Sequence, residues 1–88
     1  MKSLTLVGVR WRTDYDGNIF VRHTAEIIID GHFVHKSEVT CGPGNQYMDT
    51  AETWLFANGY LPKKSNGPIK RYCEENNITW YSTCVDLS

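Results

Sequence analysis

Apolar and polar positions alternate through residues 3 to 41, a stretch dominated by β-branched and aromatic side chains and interrupted only by turn-forming clusters. The pattern predicts a three-stranded meander. Asp14-Tyr15-Asp16-Gly17-Asn18 reads as the first turn and Asp30-Gly31 as the second. An Asp-Gly pair between alternating segments marks a two-residue type I′ hairpin, because both central positions need φ > 0. With Asp30 and Gly31 as the loop, Ile29 is expected to face His32, Ile27 Val34, Ala25 Lys36 and His23 Glu38 on one side of the sheet. Ile28 with Phe33, Glu26 with His35 and Thr24 with Ser37 take the other side. The same parity carried across the first turn pairs Trp11 with Val21, Val9 with His23 and Val7 with Ala25. One face then collects Val7, Val9, Trp11, Val21, Ala25, Ile27, Ile29 and Val34, and it needs a cover.

The second half of the chain supplies helices. Asp49-Thr50-Ala51-Glu52 has the spacing of a capping box, in which the Asp49 carboxylate accepts a backbone N–H and Glu52 reaches back. The helix it opens runs to about Asn58, with Gly59 as a left-handed stop. Ala51, Trp54 and Leu55, with Phe56 nearby, follow helical rather than alternating spacing. Asn66-Gly67-Pro68 reads as a second helix start with proline at its first position. Ile69, Tyr72 and Cys73 form the stripe of that helix, and Asn76-Asn77 ends it. Residues 78–85, Ile-Thr-Trp-Tyr-Ser-Thr-Cys-Val, are β formers and predict a fourth strand at a sheet edge, beside the first strand or the third. The expected fold is α+β: one domain over residues 1–88, a mostly antiparallel four-stranded sheet in the order β-β-β-α-α-β, with two short helices packed on one face.

Composition narrows the function classes. Eighty-eight residues are enough for one core. Nine Lys and Arg against ten Asp and Glu leave a net charge of −1, without the broad basic field of a general nucleic-acid binder. Cys41, Cys73 and Cys84 are odd in number, widely spaced and without a CxxC pair, which suits free thiols and a cytoplasmic location better than a disulfide scaffold. The N-terminal apolar run is short, contains Thr5 and Gly8, and meets Arg10-Trp11-Arg12, so it reads as a strand rather than a signal peptide. No stretch approaches the ~20 apolar residues of a membrane span. Asn77-Ile78-Thr79 has the form of a glycosylation sequon and is read as chance.

Candidate chemistry is sparse. His23, His32, His35 and Cys41 are zinc-ligand types, but the expected register sends His32 and His35 to opposite faces and His23 away from His35, so no metal is expected. Cys41 has no sequence context that would activate it as a nucleophile. His23, on the apolar face and opposite Glu38, reads as a partly buried histidine paired with a carboxylate. The segment 41–46, Cys-Gly-Pro-Gly-Asn-Gln, leads toward a helix start but lacks the Gly-Lys-Ser/Thr ending and the GxGxxG spacing of phosphate loops. It is a bend, and no cofactor is expected.

The sheet face away from the core carries the candidate site. There Arg12 is expected to face Phe20 and Arg10 to face Arg22, a basic and aromatic patch of Arg10, Arg12, Phe20 and Arg22 suited to an acidic protein segment or to single-stranded nucleic acid. Of Trp80 and Tyr81, adjacent on a strand, one is expected inside and the other outside. Lys63-Lys64 and Lys70-Arg71 read as a solvated face of the second helix. With no convergent acid, base, nucleophile or metal set, the expected function is a non-enzymatic binding protein acting by protein–protein contact. In its size and plainness, not in any motif, the chain resembles the small inhibitors that phages and mobile elements direct at host machinery, including nucleic-acid-guided defence complexes. That resemblance implies a protein or protein–nucleic-acid complex as partner. The alternative is a nucleic-acid-binding module using the Arg10, Arg12, Phe20 and Arg22 face. A third reading is a small enzyme using His23 or Cys41. No membrane partner is expected, and an edge strand leaves a homodimer open.

Overall fold

The computed structural model describes residues 1–62 and 69–87. The elements are β1 (Ser3–Tyr15), β2 (Asn18–Ile29), β3 (His32–Lys36), β4 (Thr40–Cys41), α1 (Gln46–Ala57), α2 (Ile69–Glu75) and β5 (Thr79–Leu87). The α+β fold is as expected, with both helices on one side of the sheet. The sheet has five strands rather than four and is mixed: β3-β2-β1-β5, with β4 pairing β2 beyond the end of β3. The proline start at Asn66-Gly67-Pro68 and the Lys63-Lys64 pair lie outside the described residues.

Two Asp-Gly pairs shape the sheet. Asp30 (φ 52) and Gly31 (φ 80) form the expected two-residue turn. Asp16 (φ 51) and Gly17 (φ 77) form a second, closed by the Tyr15–Asn18 pair. The first turn therefore holds two residues, not the longer Asp14–Asn18 segment, and the β1 register moves by one. Leu4 pairs with Ile29, Leu6 with Ile27, Gly8 with Ala25 and Arg10 with His23. A shift of one residue sends every β1 side chain to the opposite face. Leu4 and Leu6 are completely buried, and Val7, Val9 and Trp11, expected in the core, stand on the other side.

A register shift between Ile27 and Ile28 corrects the β3 pairing as well. His35, not Val34, pairs with Ile27, and Lys36 pairs with Glu26. The extra residue brings His35 to the helix side, where its ring stacks on Trp54 at 4.4 Å. The chain then reaches β4, which sets Thr40 rather than Glu38 opposite His23.

β5 runs beside β1, one of the two expected edges, and parallel to it. Trp80 packs toward the core and Tyr81 is exposed, the division that strand alternation requires.

α1 begins four residues earlier than the Asp49 capping box predicts. Asn45 precedes it and makes no side-chain capping bond. Packing moves the boundary: Tyr47, in the first turn, lies buried over Gly8. The helix ends as expected, with Gly59 at φ 80 and the Tyr60 amide bonded to the Leu55 carbonyl, a Schellman-type closure. Ala51 and Leu55 from α1 and Ile69 and Cys73 from α2 cover Leu4, Leu6, Ala25, Ile27 and Ile29. Each fully buried leucine or isoleucine contributes about 1.5–3 kcal/mol of apolar transfer.

Asp30 has a second task. Its carboxylate accepts the Lys2 amide at 2.6 Å and the Ser3 amide at 2.9 Å, fastening the start of β1 to the β2–β3 turn. These bonds favour the charged form and hold the carboxyl below its ordinary 3.8. The stabilisation is therefore present above pH 3.8 and is lost as pH falls through the lowered folded value. Asp30→Asn, which keeps a residue tolerant of positive φ, should melt below the native protein at neutral pH, with the difference closing in acid. A gap that persists at the acid end would show that the turn geometry, not the charge, was lost.

Candidate functional site

The molecule measures 46 × 25 × 19 Å. β1 has 13 residues, roughly 43 Å at about 3.3 Å each. α1 has 12, roughly 18 Å. The β1–β2 hairpin thus outruns its helical cover, and two surfaces meet at its projecting end.

The first is a groove on the helix side, lined by Arg10, Arg12, Val21, Pro43, Gly44 and Asp86 among others. The Arg10 guanidinium donates from Nε and Nη2 to the two Asp86 carboxylate oxygens at 2.7 and 2.9 Å, and from Nη1 to the Gly44 carbonyl at 2.7 Å. The Arg10 hydrogen bond and charge lower the Asp86 carboxyl, and the same bond raises Arg10. Behind this pair His23 is completely buried. A carbonyl can only accept, so Nδ1–H donates to the Gly42 oxygen at 3.1 Å, and Nε2 is hydrogen-bonded to the Thr50 hydroxyl at 2.8 Å. His23 is buried as expected, but carbonyl and hydroxyl partners replace the expected Glu38. It ties β2 to the 42–45 bend and to α1.

The second surface is the opposite face of the sheet. Among the described residues both helices pack on the Leu4 and Leu6 side, and this face stays uncovered. β1 gives it Val7, Val9 and Trp11, β2 gives Phe20, Arg22, Glu26 and Ile28, and β5 gives Tyr81, Val85 and Leu87. Phe20 is 42 % exposed, Phe33 61 % and Tyr81 60 %, so the face is aromatic as well as open. Arg22 is drawn across it by a bond from Nε to the Thr13 hydroxyl at 3.2 Å.

The four residues singled out in the sequence are divided between these surfaces. The one-residue register change puts Arg10 opposite His23 and Arg12 opposite Val21 on the helix side, while Phe20 and Arg22 stay on the uncovered face. Three guanidiniums therefore do not surround one phenylalanine. Sequence reasoning instead assigned Val7, Val9 and Trp11 to the core; the Asp16-Gly17 pair was the signal that would have placed them outside.

Cys41 is exposed and pairs with Arg22, whereas its neighbour Thr40 pairs with His23. Adjacent strand residues face opposite ways, so Cys41 and His23 are separated by the sheet. Burial raises the thiols of Cys73 and Cys84. Among the described residues no three His, Cys, Asp or Glu side chains converge as a metal site, and no helix is long and apolar enough to cross a membrane. No family model, curated protein or solved structure matches the chain.

Proposed function

We propose that this chain is a non-enzymatic binding domain that acts by protein–protein contact through the uncovered face of its sheet. One observation supports the reading above others: among the described residues no helix lies over a face carrying Val7, Val9, Trp11, Phe20 and Ile28. Val7, Val9, Trp11 and Ile28 are half-buried there, with Phe20, Phe33 and Tyr81 exposed around them; contiguous apolar surface marks interaction sites, and aromatic residues with arginine are the side chains that most often anchor protein interfaces. The partner this face suits is a protein surface, apolar at its centre, with a carboxylate placed to meet Arg22. Occupying such a surface is also how a small inhibitor works, and inhibition of a host or defence complex is the finer form of the proposal.

The nucleic-acid alternative has less to stand on. Of its three arginines, only Arg22 belongs to this face, and Lys36 there lies opposite Glu26. Strand binding through so few cations predicts a log–log salt slope of about −1.

The test is Trp11→Ala combined with Phe20→Asp in a protein shown to remain folded, against an Arg12→Ala control from the groove side. The double variant should bind a partner captured from the native host, then purified, at least about 30-fold more weakly, the loss of one interface hot spot. The control should bind normally. Full affinity in the double variant, or tight salt-sensitive binding to single strands with no protein partner, overturns the proposal.

A further inference from the structure

The two edges of the sheet are built differently. At one edge β3 has five residues, contains the irregularity at Val34, and ends on Lys36, features that blunt an edge against further pairing. At the other edge β5 has nine residues, without proline, lysine or a break in its register with β1. Its one charge, Asp86, is already held by Arg10. The Thr79 amide bonds inward to the Lys2 carbonyl. Backbone groups alternate sides along a strand, so those of Trp80, Ser82, Cys84 and Asp86 point outward from the sheet.

The geometry points to a second copy of this chain as the occupant of that edge, with the two β5 strands antiparallel about a two-fold axis at Thr83. In that register Ser82 meets Cys84 of the partner and Trp80 meets Asp86, so all four outward residues pair in each strand, making about eight backbone hydrogen bonds. Moving the centre by one residue in either direction leaves one of them unpaired. The side chains agree with this register. On the uncovered face Tyr81 falls opposite Val85, an aromatic beside an aliphatic, Thr83 falls opposite itself, and no charge meets a like charge. An isologous contact of this kind closes on itself and joins two five-stranded sheets into one. The inference rests on the β5 edge alone and not on what binds the face beside Trp11 and Phe20.

Sedimentation of the full chain should give about twice its 10.1 kDa mass at about 100 µM, well above the affinity expected of such a contact. Thr83→Lys, on the accessible face, sets two ammonium groups directly opposite each other and should weaken the dimer at least about tenfold without unfolding the monomer. Ser82→Pro removes an outward donor and should act likewise. If it fails to fold, Thr83→Lys carries the test. Thr83 sits at a non-hydrogen-bonded pair with Cα atoms about 4.5 Å apart, within disulfide reach. Thr83→Cys, in a background with Cys41→Ser and Cys84→Ser, should therefore form a covalent dimer on oxidation, whereas Tyr81→Cys in the same background should not. A monomer at that concentration, a dimer indifferent to Thr83→Lys, or a dimer that Thr83→Cys fails to cross-link overturns the inference.

Discussion

Gly8→Ala is expected to lower stability by about 2–3 kcal/mol, the upper end for overpacking a core, and the melting temperature by about 10–20 °C. The reason is local. A methyl carbon at Gly8 would stand 2.5 Å from Cγ of Tyr47 and 2.7 Å from both of its Cδ atoms, so the ring lies flat on the strand. Ordinary contact needs roughly another 1 Å. Tyr47 belongs to the first turn of α1, and moving it lifts the helix from β1. In open space alanine would improve a strand, since glycine there costs about 0.5–1 kcal/mol, so the sign of the change itself reports the contact. Gly8→Ala combined with Tyr47→Leu should recover part of the loss, and thermal melts of Gly8→Ala, Tyr47→Leu and the double variant read it directly. A Gly8→Ala protein as stable as the native one would show that the helix does not seat on β1 in this way.

His23→Phe is expected to cost about 2–6 kcal/mol. Phenylalanine fills most of the same volume but leaves the Gly42 carbonyl and the Thr50 hydroxyl without their buried partner, at about 1–3 kcal/mol for each group. The measurement is a urea midpoint with unchanged slope. Hydrogen exchange should quicken at the Gly42 amide, which bonds to the Val21 carbonyl at 2.9 Å. An unchanged midpoint would mean that His23 does not join β2 to the bend and α1. The result also guards the reading of any activity assay: loss of function in His23→Ala reports a loosened 42–45 segment before it reports chemistry.

Much of the fold was legible because local rules and packing agree. The Asp30-Gly31 turn, the Gly59 stop, the α1 stripe of Ala51 and Leu55, and the division of Trp80 from Tyr81 each follow from one residue type in one position. The β1 register was harder because that strand is apolar on both faces: Leu4 and Leu6 on one side, Val7, Val9 and Trp11 on the other. Hydropathy could not choose between them, and the choice rested on whether the first turn spends two residues or more. The second Asp-Gly pair, at 16 and 17, held the answer. The candidate site depended on that choice, which is why the four residues first grouped together are now split between groove and open face. The parallel direction of β5 and the irregularity at Val34 arise from long-range packing, and no spacing in the chain records either.

The place of β1 between β2 and β5 has a consequence for how the molecule is made. β2 reaches it through a two-residue turn, but its other neighbour begins at Thr79, 76 residues beyond the start of β1 at Ser3. Contacts this distant in sequence close late, because the loop entropy must be met before they form. During synthesis the strand at the centre of the finished sheet is therefore an edge for most of the time the chain is growing. Its free side must stay unpaired until residues 79–87 emerge, and over that interval a nascent chain is most open to joining a neighbour on the same message.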